Sequence, residues 1–222
     1  MIQSPKPGTA FTNPPMHSPA TAGTLAFDPY SLAETLHNAT SDWHQHNLQP
    51  EESPTLFSIA LRLHKANFDL WHQEDLARDP HATDATITST KRSIDTLNQR
   101  RNDLVEELDR TLLEAVQQNP AAPLHSETPG MMLDRLSILS LKRFHTAEQT
   151  SRPDVTEEHR KNSRLRLSQL DEQFADLAAA LQHLWSEILH GTRRFKLYRQ
   201  FKMYNDPTLN PILYNSSNPK QA

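Results

Sequence analysis

Two long stretches of this sequence repeat apolar side chains at helical spacing, and they constrain the possible folds more than any other feature. In residues 85–118 the apolar positions recur about every 3.5 residues, and only Arg101 and Thr111 interrupt the series. Residues 155–190 carry a broader apolar stripe, and Gly191 follows it as a helix-ending residue. Because such long segments with a helical period do not fit a β-sheet, the chain is predicted to be all-α.

Three shorter segments complete the predicted fold. They have apolar faces of helical period and begin at residues that commonly cap helices. The segments and their expected N-caps are residues 31–45 with Ser31, residues 53–79 with Ser53, and residues 128–152 with Thr128. A strand is arguable only in residues 195–204. The short connections between the helices predict an antiparallel helical bundle of about five helices.

The two ends of the chain differ in composition from this helical middle. Residues 1–27 are rich in Pro, Ser, Thr and Ala, and they are predicted to form a disordered tail. Residues 28–190 are assigned to the bundle. Residues 191–222 form a C-terminal arm that interleaves cations with aromatic rings, and we expect it to pack on the bundle or extend from it. A sequence pI of 6.3 argues against a nucleic-acid binder.

Composition excludes several classes of protein. The chain has 222 residues and no cysteine, which rules out disulfides, thiolate metal sites and a cysteine nucleophile. No apolar run approaches the roughly 20 residues needed to span a bilayer, and the first residues lack the apolar core of a secretory signal. A cytoplasmic protein is therefore expected. No pattern in the sequence defines its oligomeric state.

Polar side chains lie beside the apolar seam of residues 85–118. Carboxylate and amide oxygens lined up in this way are typical ligands of Mg²⁺ or Mn²⁺ bound to phosphate. The pattern is equally typical of a solvated flank, in which arginines three or four residues away pair with the acids. The side chains concerned are Asp95, Asn98, Asn102, Glu106 and Asp109.

The second helix ends in a polar group that an antiparallel hairpin would bring close to the start of the third helix. This group contains Trp71, His72, Glu74, Asp75 and Arg78. Acids facing one another across two helices resemble the arrangement of all-helical nucleotide pyrophosphohydrolases, and that resemblance implies Mg²⁺ held against a triphosphate. His72 is interpreted either as a ligand or general base or as a hydrogen-bonded bystander.

Asp134 and Arg135 interrupt the apolar run of the fourth helix, so at least one of these charges is expected to be partly buried and paired. One interpretation is a structural ion pair, for instance between Asp134 and Arg101. The other is an arginine directed at a phosphate or carboxylate. A di-iron bundle is a further alternative, since E-x-x-H pairs occur at Glu34 to His37 and at Glu187 to His190.

Three motifs resemble those of a bacterial, all-helical family of unknown function. The motifs are W-H-x-E-D, I-D-x-x-N-x-x-R-N-D and Y-N-D-P-x-x-N-P, and the similarity covers about residues 55–211. Members of this family are often encoded near genes for sugar transfer and lipopolysaccharide assembly, which implies a link to glycan or nucleotide-sugar metabolism. The motif positions are Trp71, His72, Glu74, Asp75, Asp95, Asn98, Arg101, Asn102, Asp103, Asp134, Arg135, Tyr204, Asn205, Asp206 and Asn210.

The leading functional hypothesis is a polar cleft between helices that binds a phosphorylated or sugar-type ligand, with Mg-assisted phosphate hydrolysis as its most concrete chemistry. Whether the protein is an enzyme stays open. The expected catalytic residues are His72, Glu74, Asp75 and Arg135. The expected ligand-binding residues are Trp71, Asn98, Arg101, Asn102, Asp134, Tyr204 and Asn205. The expected ligands of Mg²⁺ or Mn²⁺ are Glu74, Asp75 and Asp95. The alternative is a non-catalytic adaptor for a glycan-assembly enzyme.

Overall fold

The computed structural model describes residues 28–46, 48–200 and 206–216, and it is all-α. The helices are α1 (Pro29–Gln45), α2 (Leu56–Ala77), α3 (Asp84–Ala115), α4 (Pro129–Ser151), α5 (Glu157–Leu189) and the short α6 (Pro211–Ser216). The tail predicted to be disordered, residues 1–27, lies outside the described residues. Within the described ranges the only sheet-like pairing is an isolated bridge between Leu124 and Arg194.

Threonine residues are the N-caps of four of these helices. In each case the hydroxyl oxygen accepts a hydrogen bond from the backbone N–H three residues on, which satisfies a donor that the first helical turn leaves unpaired. These N-caps are Thr55, Thr83, Thr128 and Thr156. Thr128 was predicted from the sequence, and Gly191 ends the α5 region at a φ of 70°, as expected.

Two predicted N-caps were wrong. Ser31 lies inside α1, and it is the carboxylate of Asp28 that accepts the hydrogen bond from the Ser31 backbone N–H. Ser53 precedes α2 by three residues, and Thr55 caps this helix. Several short polar residues near each helix start can serve as the cap, and at α2 it is Thr55 that has the extended backbone of a cap, with φ −71° and ψ 145°.

The helices form two antiparallel hairpins, α2 with α3 and α4 with α5, and α1 packs on α4 while also touching α2 and α5. Their apolar faces meet in one core. Its fully buried members include Ile59, Leu63, Leu108, Leu112, Leu133, Leu136, Leu181 and Ile188. Among the described residues, every helix is too short or too polar to cross a lipid bilayer.

The start of the C-terminal arm is fixed to the bundle. Phe195 is buried in the core, and the side chain of Gln118 bonds both its backbone N–H, at 2.7 Å, and its carbonyl oxygen, at 3.1 Å. Further along, the backbone N–H of Gln200 donates to the carboxylate of Glu106 at 2.8 Å. One acid of the polar stripe on α3 therefore receives the arm.

Candidate functional site

A cleft of about 400 Å³ opens between the end of α2, the middle of α3 and α4. We call it the Trp71 cleft. Its apolar wall is Leu70, Ile138 and Leu141, and its polar lining is Asn67, Trp71, Glu74, Asp75, Arg78, Asn98 and Arg101. The antiparallel hairpin positions these groups, because α2 and α3 run in opposite directions and the end of α2 therefore faces the first half of α3.

Charges in the Trp71 cleft are arranged in two layers. At the rim, Arg78 forms an ion pair with Glu74 at 2.6 Å, and Asp75 is exposed beside it. At the base, Nε of Arg101 lies 3.1 Å from Oδ2 of Asp134. The side chain of Arg101 is 30% exposed and that of Asp134 is 11% exposed, so the guanidinium reaches the cleft while its partner stays beneath it.

The Asp134 carboxylate belongs to a buried chain of hydrogen bonds. The amide nitrogen of Asn67 donates to Oδ1 of Asp134 at 2.9 Å and to the hydroxyl of Ser137 at 3.0 Å. Burial raises the pKa of Asp134, and the opposing influences are the charge of Arg101 and the hydrogen bonds from Asn67 and Arg101. The ion pair that the sequence suggested between Asp134 and Arg101 is present.

The chain continues from Ser137 to His64, which is fully buried. Nδ1 of His64 lies 2.8 Å from the Ser137 hydroxyl, and its Nε2 lies 2.9 Å from the carbonyl oxygen of Leu36 and 2.8 Å from the hydroxyl of Thr40. Since a carbonyl only accepts, Nε2 carries the proton and Nδ1 accepts from Ser137. Burial lowers the pKa of His64 to about 3, so the ring is neutral. This network fixes the base of the Trp71 cleft.

A cluster of three histidines lies on the other side of Trp71. His44 of α1, His72 of α2 and His145 of α4 each bring a ring nitrogen within 4.8 Å of the other two. The indole of Trp71 stacks on His145 with a centroid distance of 4.7 Å and an angle of 15° between the rings. Trp71 is thus shared by the cleft and the histidine cluster.

Partial burial lowers the pKa of His72, and the charges of His44 and His145 lower it further. Asp75 and Asp69 act in the opposite direction with smaller effect. At neutral pH the ring is therefore predominantly uncharged, which is the state in which an imidazole can accept a proton or bind a metal.

The structure separates the residues that the sequence assigned to one site. Trp71, Glu74, Asp75, Asn98 and Arg101 line the cleft, and Asp134 lies beneath it. Four others lie elsewhere. His72 lies with the other two histidines, and Asp95 forms an ion pair with Lys91. Asn102 does not line the Trp71 cleft. Arg135 forms an ion pair with Glu127 at 2.5 Å, and both residues line a different cavity. Tyr204 and Asn205 lie outside the described residues.

Asp109 has a structural position that the polar stripe did not indicate. Its carboxylate accepts hydrogen bonds from the Thr128 hydroxyl at 2.5 Å and from the backbone N–H of Gly130 at 2.7 Å. Burial raises the pKa of Asp109 to about 6. This acid joins α3 to the first turn of α4 and takes no part in the cleft.

Five residues near the site were not singled out in the sequence, namely His44, His64, Asn67, Ser137 and His145. His64 and Asn67 could have been found, because both lie within a run of buried positions on α2 where a polar side chain needs a partner. His44 and His145 give no such signal. They come from distant helices, and neither belongs to a metal-binding spacing motif.

Residues 58–197 match the model of a family described as "Protein of unknown function (DUF4254)". This match includes α2 from its third residue and all of α3 to α5, and therefore every described residue that lines the Trp71 cleft. Searches of curated proteins and of solved structures gave no match.

Proposed function

The chain belongs to the DUF4254 family of proteins of unknown function, and we propose that its Trp71 cleft binds a phosphorylated or sugar-type ligand. The observation that carries this proposal is Arg101 at the base of an open cleft, fixed from below by buried Asp134. An arginine held in this way can present its remaining N–H groups to an incoming oxygen without first losing side-chain entropy.

The rest of the lining suits hydroxyl groups and rings. Asn98 offers both a donor and acceptors, Glu74 and Asp75 offer acceptors, and Trp71 offers an aromatic surface beside them. The volume of about 400 Å³ falls in the range of small-molecule sites. A sugar or a sugar phosphate matches this combination of an aromatic ring, acceptors and a guanidinium.

Charge balance divides the possible ligands into two groups. The carboxylates of Glu74, Asp75 and Asp134 oppose the guanidinium groups of Arg78 and Arg101, so the cleft has a formal charge of about −1. A phosphate would be repelled unless a divalent cation entered with it. Mg²⁺ or Mn²⁺ would then take oxygens from Glu74 and Asp75 together with those of the phosphate, whereas a neutral sugar needs no ion.

A thermal-shift screen tests the proposal. The panel contains nucleotides, nucleotide sugars, sugar phosphates and free sugars, each with Mg²⁺, with Mn²⁺ and with a chelator. A ligand at 100 times its Kd adds about 2.7 kcal/mol of stability, which raises the Tm of a chain of this size by roughly 5–10 °C. We expect phosphorylated compounds to give this shift only with metal.

Matched variants test whether the ligand binds in the Trp71 cleft. Asn98→Ala and Glu74→Gln should each remove at least about half of the ligand-induced shift in Tm, because each takes away a direct polar contact. Glu114→Gln, an exposed acid at the far end of α3, should leave the shift unchanged. No shift with any compound would contradict the proposal and favour the adaptor for a glycan-assembly enzyme. Equal shifts in all variants would show that the ligand binds outside the cleft, which would also contradict the proposal.

The proposed link to glycan metabolism and the cytoplasmic location are supported by the sequence alone. The first follows from the resemblance of the motifs, and the second from the cysteine-free composition. Hydrolysis of the bound phosphate is an extension of the same proposal, in which Asp75 would hold the ion and Glu74 would activate water. An assay for released phosphate with the compound that shifts the Tm tests this extension.

A further inference from the structure

The histidine cluster brings together side chains from three helices. Its members are His44 of α1, His72 of α2 and His145 of α4. The rings approach one another edge to face, with centroid distances of 5.2 Å between His44 and His72 and 5.2 Å between His44 and His145. Among the described residues it is the one group of three or more His, Cys, Asp or Glu side chains with potential ligand atoms this close together. Glu74, Asp75 and Asp95 form no such group.

Hydrogen bonds orient two of the three rings. Nδ1 of His44 donates to the carbonyl oxygen of Thr40 at 2.8 Å, and Nδ1 of His145 donates to the carboxylate of Glu148 at 3.0 Å. Each bond fixes the tautomer, so Nε2 of each ring retains its lone pair. Histidines that bind metals typically have their other ring nitrogen held by a carbonyl or carboxylate in this way.

Ring nitrogens of His72 and His145 lack hydrogen-bond partners among the described residues. Nε2 of His145 is buried and accepts no hydrogen bond, and neither ring nitrogen of His72 has a hydrogen-bond partner within the described part of the chain. A buried acceptor without a partner costs free energy. A cation bound by the lone pairs would remove this cost.

The surroundings also fit a metal. Phe144 stacks on His44 with a centroid distance of 5.0 Å, Phe68 lies 4.5 Å from His72, and Trp71 covers His145. An apolar shell of this kind limits access of water and strengthens the binding of a cation by its ligands. His44 is exposed, so one side of the cluster stays open to solvent.

We propose that His44, His72 and His145 bind one divalent transition-metal ion, with Zn²⁺ as the preferred ion and a fourth coordination position open to water or to an anionic oxygen. Imidazole nitrogens suit Zn²⁺ and its neighbours, whereas Mg²⁺ prefers oxygens. Bonds of about 2.0–2.1 Å in a tetrahedral site require nitrogens about 3.3 Å apart. The ring nitrogens lie within 4.8 Å of one another, so they would have to approach by up to about 1.5 Å when an ion binds.

This metal site is separate from the ligand cleft, although Trp71 contacts both. Its ligands are imidazoles, and it would bind its ion without any organic ligand. The test therefore measures the metal alone, and its result does not depend on whether the Trp71 cleft binds a sugar or a phosphate.

The experiment uses the full-length chain purified without a polyhistidine tag and freed of metal with a chelator. Calorimetric titration with Zn²⁺ should give one ion per chain. Co²⁺ should give the visible absorption of a four-coordinate site with nitrogen ligands. Loss of a residue that only hydrogen-bonds a metal ligand weakens metal binding by roughly 10–100-fold. His72→Ala and His145→Ala each remove a ligand itself, so each should weaken Zn²⁺ binding by more than this. Both variants should also lose the Co²⁺ spectrum of a four-coordinate site.

Two further variants separate a built site from general affinity for metal. Glu148→Ala removes only the outer partner of His145 and should weaken binding about 10-fold. His183→Ala, an exposed histidine of α5, should bind as the wild type does. Circular dichroism checks that each variant is folded. Absence of a one-to-one Zn²⁺ complex, or binding of equal strength in His72→Ala, would overturn the proposal.

Discussion

At the scale of single residues, the buried polar side chains beneath the Trp71 cleft are acceptable because hydrogen bonds and an ion pair connect them in one network. His64 uses both ring nitrogens, with Ser137 on one side and the Leu36 carbonyl on the other. Asn67 and Asp134 extend the same chain toward Arg101. This hydrogen-bond network extends from the centre of the core to the base of the Trp71 cleft. Loss of any one member would leave a neighbouring buried polar group without a partner.

His64 makes stability depend on pH. In the unfolded chain a histidine titrates near 6.5, whereas the folded His64 has a pKa of about 3. Between these values the unfolded state binds a proton that the folded state does not, so stability falls as the pH decreases. From pH 7 to pH 5 this one group should lower the free energy of unfolding by about 2 kcal/mol.

Comparison of His64→Gln with the wild type isolates this effect. Asp109 acts in the opposite direction, because its raised pKa of about 6 makes the folded state the better proton binder between about 4 and 6, but it is common to both proteins. Urea denaturation at pH 7 and pH 5 should therefore show a loss on acidification about 2 kcal/mol smaller in the variant. Equal losses would show that His64 does not titrate on unfolding.

At the scale of elements, the contact of α3 with the start of α4 explains part of the polar stripe. Thr128 caps α4, and Asp109 of α3 accepts from both Thr128 and the Gly130 backbone. The partial positive charge at a helix N-terminus favours this carboxylate. An acid beside the apolar seam of α3 therefore serves to fix the neighbouring helix, which is neither of the two interpretations that the sequence suggested for the stripe.

Gly130 lets the two helices approach. A Cβ at this position would lie 2.7 Å from Oδ1 of Asp109 and 2.8 Å from the backbone oxygen of Val105. Gly130→Ala should therefore destabilise the protein by about 2 kcal/mol or more, even though alanine has the higher helix propensity. Asn162→Ala at an exposed position of α5 is the control and should change stability by less than about 0.5 kcal/mol. Urea denaturation measures both, and unchanged stability of Gly130→Ala would refute the close contact.

At the scale of the whole molecule, apolar periodicity predicted the helices because this signal is local in sequence, whereas only Thr128 of the three predicted N-caps was correct. The site was harder to predict. Asp134 and Arg135 are adjacent, yet the 100° turn between them buries the first and exposes the second. His44, His72 and His145 converge only through the rotation and crossing of α1, α2 and α4, and no local pattern encodes those angles.

The most direct test of the Trp71 cleft follows the three tryptophan indole N–H signals by NMR during a ligand titration. Trp185 is buried in the core and serves as an internal reference, and Trp71→Phe assigns the signal of Trp71. With UDP-glucose or glucose 6-phosphate and Mg²⁺, the account predicts a saturable shift of the Trp71 signal and a constant Trp185 signal. A Trp71 signal that stays constant while the panel compound raises the Tm would place binding elsewhere and contradict the account.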